Sequence, residues 1–185
     1  MKVFKNRNDM VKELVTTGGV YGEIGVFKGE FSKILLNLNP KKLVLFDLFE
    51  GICGSGDVDG NNFCNTNMAH EHYNLNNLSC IVELIKGDSS TELLNFDDNY
   101  FDMLYIDGDH SYEGCKRDLN VAIKKVKNGG WIMGHDYEMN MDKAKTFYSF
   151  GVKQAVDEFC KEQNLELYAK AMDGCVSYSI SKNGI

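Results

Sequence analysis

The chain has 185 residues, 43% apolar and 25% charged, with a single proline; this is ordinary for one soluble domain able to bury about 70% of its unfolded surface. No apolar run approaches the roughly 20 residues of a membrane span, and the opening MKVFKNRNDM lacks the apolar stretch and cleavage site of a signal peptide, so a cytoplasmic protein with no membrane partner is expected. The net charge of −7 argues against a nucleic-acid partner, which leaves a basic footprint, and suits a small-molecule substrate; a homo-oligomer is compatible with it.

In chain order, Asn8 or Asp9 caps a first helix reaching residue 17, with Met10, Val11, Leu14 and Val15 on one face, and Gly18-Gly19 ends it. Residues 20–25 (VYGEIG) read as a strand. Lys28 or Gly29 opens a helix carrying Phe31, Ile34, Leu35 and Leu38, Asn39-Pro40 breaks it, and 43–46 (LVLF) is a second buried strand ending at Asp47. The glycine-rich stretch 49–65 is too long for a simple connection. A helix over 67–78, a strand over 81–85, a short helix over 89–94 and a strand over 101–106 follow. Residues 112–126 form an amphipathic helix through Leu119, Ala122, Ile123 and Val126, stopped by Gly129-Gly130; Lys124, Lys125 and Lys127 are read as its solvated end. A strand over 131–133, a helix over 151–163 and strands over 165–171 and 175–180 around the turn dipeptide Asp173-Gly174 complete the chain.

Strands alternating with helices predict a single α/β domain over 1–185, a doubly wound Rossmann-like sheet of about seven strands, mostly parallel, with helices on both faces. The closing hairpin forces the last strand to run antiparallel. The six cysteines form no close pair, so free, buried thiols are expected rather than a zinc or redox motif; Cys53 and Cys64 flank the glycine-rich loop and could pair only in an oxidising compartment.

Ligands of open α/β sheets bind at the carboxyl ends of strands, and there the polar residues gather. The first strand ends in Glu23-Ile24-Gly25-Val26-Phe27-Lys28-Gly29. Phe27 takes the second glycine's place in the dinucleotide fingerprint and obstructs a diphosphate. Glu23 and the Gly25–Gly29 turn suit instead a ligand with an adenosine and a cation. Asp47 follows Gly25 at about the 20-residue offset at which a carboxylate grips ribose hydroxyls. Asp88 and Ser89 either cap a helix or contact an adenine edge. The fourth strand ends in Asp107, Asp109 and His110, the fifth in His135 and Asp136, and neighbouring strands would bring them together. Such a set could hold Mg²⁺ or, with the imidazoles, another divalent cation, and a carboxylate or His110 could take a proton. His70 and His72 read as surface residues. Asp57-Val58-Asp59-Gly60 is not a calcium loop, because Asn62 and Met68 stand where the motif needs glycine and glutamate.

YGEIGVFKGEFS, LVLFDLFEG, IKGDSS, FDMLYIDGDHSYEGCKRDL and NGGWIMGHDY, in this order, resemble the class I S-adenosylmethionine-dependent methyltransferases, and within them the macrocin O-methyltransferase-like enzymes. The resemblance covers residues 20–137. It implies a seven-stranded sheet, S-adenosylmethionine as cofactor, and methyl transfer to a hydroxyl of a small-molecule acceptor. By the same resemblance, Glu23, Gly25 and Gly29 surround the methionine part, Asp47 and Phe49 the ribose, and Asp88 and Ser89 the adenine. Asp107 would touch the cofactor and share catalytic and metal-binding duty with Asp136. Where relatives carry an acidic pair, this chain has His135-Asp136, so the implied metal set is Asp107, His135 and Asp136, with Asp109 or His110 as base. An NAD-dependent oxidoreductase and a non-catalytic cofactor-binding module are the alternatives.

Overall fold

The computed structural model describes residues 1–49, 80–138 and 150–183. The predicted helix over 67–78, the glycine-rich loop with Cys53 and Cys64, His70, His72 and most of the segment after Glu138 lie outside the described residues.

The strands are β1 (Lys2–Phe4), β2 (Val20–Ile24), β3 (Lys42–Asp47), β4 (Ile81–Lys86), β5 (Phe101–Ile106), β6 (Val126–Glu138), β7 (Leu167–Asp173) and β8 (Cys175–Ser181). The described helices are α1 (Arg7–Leu14), α2 (Glu30–Leu36), α3 (Ser89–Glu92), α4 (Tyr112–Lys125) and α5 (Val152–Gln163). All eight strands form one sheet in the order β1-β7-β8-β6-β5-β2-β3-β4, in which only the pairings of β8 are antiparallel. The expected doubly wound sheet with an antiparallel last strand is therefore present. The extra strand is β1, which pairs in parallel with β7; three residues are too few for a legible period.

The central strands read as unbroken apolar runs because both faces are covered. Leu43, Val44, Leu45 and Phe46 of β3 are all buried, Val44 and Phe46 toward one face and Leu43 and Leu45 toward the other. The first face packs on Cys115, Leu119 and Ala122 of α4 and on Val152, Ala155, Val156 and Phe159 of α5. The second packs on Val11 of α1 and on Phe31 and Leu35 of α2. Burying each of these large side chains stabilises the fold by about 1.5–3 kcal/mol.

Three local expectations are corrected. Helix α1 begins earlier, because Asn6, not Asn8 or Asp9, is the cap: its side chain accepts from the Asp9 amide at 2.9 Å. Gly129-Gly130 does not stop the helix: α4 ends at Lys125 and β6 starts at Val126 rather than residue 131, with Gly129 and Gly130 exchanging backbone hydrogen bonds with Lys182 beyond the end of β8, at 2.8 and 3.0 Å. Lys125 is no solvated residue: it is buried and donates to the Phe96 carbonyl and to Asp98 at 2.7 and 2.8 Å.

Candidate functional site

The chain winds outward in both directions from β2 and β5, which are neighbours, so their carboxyl ends form the switch point of the sheet. The two ends are in close contact. The Asp107 amide donates to the Ile24 carbonyl at 2.7 Å. Gly25, at φ +83°, presses on the next strand so closely that a Cβ there would collide with the Asp107 carbonyl oxygen and lie 2.7 Å from Gly108 Cα. Gly29, at φ +71°, closes the turn, its amide on the Val26 carbonyl at 2.7 Å, and starts α2.

Asp47 fixes this turn from β3. One carboxylate oxygen accepts from the Val26 and Phe27 amides at 2.7 and 3.2 Å, the other from the Phe49 amide at 2.9 Å. Phe27, Phe49 and Asp136 are left-handed, with φ of 47°, 47° and 56°. The four other left-handed non-glycine residues among those described are asparagines, which adopt this region readily. For phenylalanine it costs about 1–3 kcal/mol, and such strain gathers at functional sites. Here it gathers at the ends of β2, β3 and β6.

Glu23 is buried at 2% exposure and accepts from the Ser32 hydroxyl of α2. Burial raises its pKa to about 8, against the lowering effect of Ser32, and the charge of Asp107 pushes the same way as burial. At neutral pH the fold therefore favours its protonated form. The native state holds this proton between pH 4.5 and about 8 while the unfolded chain has released it, so the contribution to stability is full below pH 4.5 and is lost as pH rises through about 8. Glu23→Gln makes the neutral form permanent. Urea unfolding should show the variant matching the parent to within about 1 kcal/mol at acid pH and surpassing it above pH 8. A variant weakened equally at every pH would contradict the protonated state.

Asp88 caps α3, accepting from the Thr91 amide at 3.1 Å and the Ser90 hydroxyl at 2.5 Å, and Ser89 donates to the buried Asp118 at 2.6 Å. Asp88 therefore caps α3, and Ser89 ties the start of α3 to α4. Burial lifts Asp118 to about 6, with Ser89 opposing.

A polar cluster forms between β5 and β6. His110 Nε2 stands 3.3 Å from Asp107 Oδ1 and 3.2 Å from Asp136 Oδ2, and its ring stacks on Phe150 at 5.3 Å. Burial disfavours the imidazolium, but the Asp107 hydrogen bond and the charges of Asp136 and Asp107 outweigh it and raise the pKa. Asp109 is set apart, accepting from the Ser111 amide at 2.9 Å and lying 3.8 Å from Arg117 at the start of α4.

Sequence reasoning missed several partners. Arg7 reaches across from α1 to within 3.4 Å of Asp107 Oδ2 and 3.7 Å of Asp173, and lies over the Phe31 ring at 4.9 Å. His135 Nδ1 lies 2.8 Å from Ser177 Oγ, itself 3.2 Å from the buried Tyr105 hydroxyl. No local pattern marks these residues; only the sheet order brings them together. Asp107, His135 and Asp136 do not fall in one group of ligand atoms: Asp107 and Asp136 group with His110, whose Nε2 is near both, and Arg7 flanks Asp107. Asp107, His110 and Asp136 have the donor types to hold a divalent ion, and no catalytic step is assigned to one.

Residues 23–137 match a family model described as a methyltransferase domain. The chain belongs to this methyltransferase family. An uncharacterized protein of Acanthamoeba polyphaga mimivirus is 29% identical over 119 residues, 64% of this chain and 51% of that protein, so the chain spans about half the length of this curated relative. Among solved structures, the O-methyltransferase NovP superposes with a TM-score of 0.66 at 18% identity, covering 96% of this chain and 80% of that one. An rRNA methylase from Streptococcus thermophilus gives 0.62 at 15% identity, covering 95% and 93%, and the B. subtilis tRNA methyltransferase TrmK gives 0.63 at 14%, covering 98% and 67%. At these identities the likeness is one of fold. Membership makes S-adenosylmethionine the expected methyl donor. Among the described residues, no helix of this family member is long and apolar enough to cross a membrane.

Proposed function

We propose that this family member transfers a methyl group from S-adenosylmethionine to a hydroxyl of a small molecule, a sugar or natural-product-like scaffold, as macrocin O-methyltransferase-like enzymes do. The observation that carries this reading is His110, wedged between Asp107, which abuts the Gly25 turn, and Asp136. Bound S-adenosylmethionine supplies an electrophilic methyl for in-line displacement by the acceptor oxygen. His110 is the general base, and Asp107 and Asp136 fix its ring and stabilise the imidazolium that forms when it takes the hydroxyl proton. Asp47, holding the Val26 and Phe27 amides, keeps the donor's turn in place before anything binds, which lowers the ordering cost of binding. The net charge of −7 favours a small acceptor over RNA.

Thermal shift separates the readings. S-adenosylmethionine and S-adenosylhomocysteine at a hundred times Kd should each stabilise the fold by about 2.7 kcal/mol, with no response to NAD. A response to NAD alone would point to an oxidoreductase and end the proposal. Cofactor binding without labelled methyl transfer to any of a broad hydroxyl panel would favour the non-catalytic module.

A further inference from the structure

The strand ends hold a second group of ligand atoms, on the side of Asp136 that includes β8. A ring nitrogen of His135, a carboxylate oxygen of Asp136 and Cys175 Sγ lie within 4.8 Å of one another. We propose that His135, Asp136 and Cys175 bind a zinc-class divalent ion, with a fourth position open to water or a ligand. The proposal is independent of the methyl-transfer reading.

Donor chemistry sets the class of ion. A thiolate, an imidazole and a carboxylate suit a borderline-soft metal, whereas magnesium and calcium take oxygen. Bond lengths of about 2.0–2.3 Å put tetrahedral zinc donors roughly 3.3–3.8 Å apart, so the group closes on an ion by shifts of about 1 Å.

The backbone supplies an independent argument. Successive side chains of a regular strand face opposite sides of the sheet, so adjacent His135 and Asp136 should not reach one sulfur. They do so because β6 loses its register with β8 between Gly134 and Glu138, and Asp136 turns left-handed at φ 56°. This bulge defeats the alternation at the two residues that need it defeated.

The surrounding groups are placed as they are around bound metals. A ligating histidine commonly engages its other nitrogen in a hydrogen bond that fixes ring and tautomer. His135 Nδ1 has Ser177 at 2.8 Å, backed by Tyr105, which holds the ring in place. Asp136 is steadied through Oδ2 by His110 at 3.2 Å. Cys175 opens β8 directly after the Asp173-Gly174 turn, its first pairing with Asp173 across that turn. His135 and Cys175 are only half-buried, so an ion has access. Binding breaks the Cys175 S–H bond, forms a metal–thiolate bond and releases one proton to solvent, with no redox change.

The test uses Co²⁺ as a spectroscopic probe of the metal-stripped full chain, with Zn²⁺ competition giving the affinity. One equivalent of Co²⁺ should produce a near-ultraviolet thiolate-to-metal band that Zn²⁺ abolishes. Cys175→Ser should remove the band, and His135→Gln should keep it while weakening Co²⁺ binding at least about tenfold. Cys80→Ser, which removes a free thiol outside the group, should leave both unchanged. Absence of the band, or its survival in Cys175→Ser, overturns the proposal. So does its loss in a Cys80→Ser protein that still unfolds cooperatively, because the ion would then sit elsewhere. Should Cys175→Ser not fold, undiminished Co²⁺ affinity in His135→Gln overturns the proposal by itself.

Discussion

Replacing His110 with glutamine should lower methyl transfer by about 10²–10⁴-fold, the usual contribution of a positioned general base, and change S-adenosylmethionine affinity less than about threefold. Glutamine approximates the size of imidazole and can still bridge Asp107 and Asp136, so the strand ends keep their spacing while the proton acceptor is lost. The pH profile distinguishes this from a structural defect. The two carboxylates raise the His110 pKa above its ordinary 6.5 despite burial. Only neutral imidazole accepts a proton, so the parent's rate should climb with pH through that raised value, and the variant should lack this limb. Stability moves the opposite way. The imidazolium's contribution is full below pH 6.5 and is lost as pH rises through the folded-state pKa, so the protein becomes active as this prop is withdrawn. Parental turnover in His110→Gln, or an unchanged limb, would remove His110 from the chemistry.

Gly25→Ala should destabilise the fold by about 2–4 kcal/mol, combining overpacking with a side chain in left-handed backbone, and should abolish S-adenosylmethionine binding. The added methyl meets backbone of the next strand, the Asp107 carbonyl and Gly108, which no rotamer change relieves. Relief requires β2 and β5 to part at the switch point, where the donor's turn and the polar cluster meet. Gly129→Ala is the control: its φ is +76°, yet nothing lies within 4 Å of an added Cβ, so it carries only the conformational penalty of about 1 kcal/mol. Equal losses in the two variants would show that strain, not collision, dominates at Gly25. Urea unfolding measures both.

The strands that organise the sheet were legible because they are buried on both faces and bounded by turn residues. LVLF before Asp47 and FDMLYI before Asp107 each appear where the pattern placed them. The polar residues at those ends were legible too, since a strand emerging from the core must stop somewhere and Asp47 and Asp107 mark the stops, whereas Asp136 sits at an irregularity inside β6. What each carboxyl does was not legible. Whether Asp47 faces a ribose or the Val26 amide, and whether Glu23 is charged, depends on groups brought near by tertiary packing, such as Ser32. Which groups His135 and His110 would meet was not legible in sequence, because it depends on strand order and on an irregularity in β6 that leaves no compositional mark. Cys175 escaped notice for a related reason. Zinc motifs are recognised by close pairs along the chain, whereas here β8 delivers the sulfur to β6 from 39 positions away.

Strand β1 and the arginine that follows it have a further consequence. Lys2, Val3 and Phe4 pair with Ala169, Lys170 and Ala171, and Arg7 binds Asp173 through both its amide and its guanidinium. These contacts join residues more than 160 positions apart, and closing such long loops is slow and comes late in folding. The guanidinium that flanks Asp107 is therefore anchored only after the closing hairpin has formed. During synthesis, a nascent chain can assemble the crevice from β2, β3 and β5 while Asp107 still lacks its permanent counter-ion. The electrostatics around Asp107 thus report whether the ends of the fold have met.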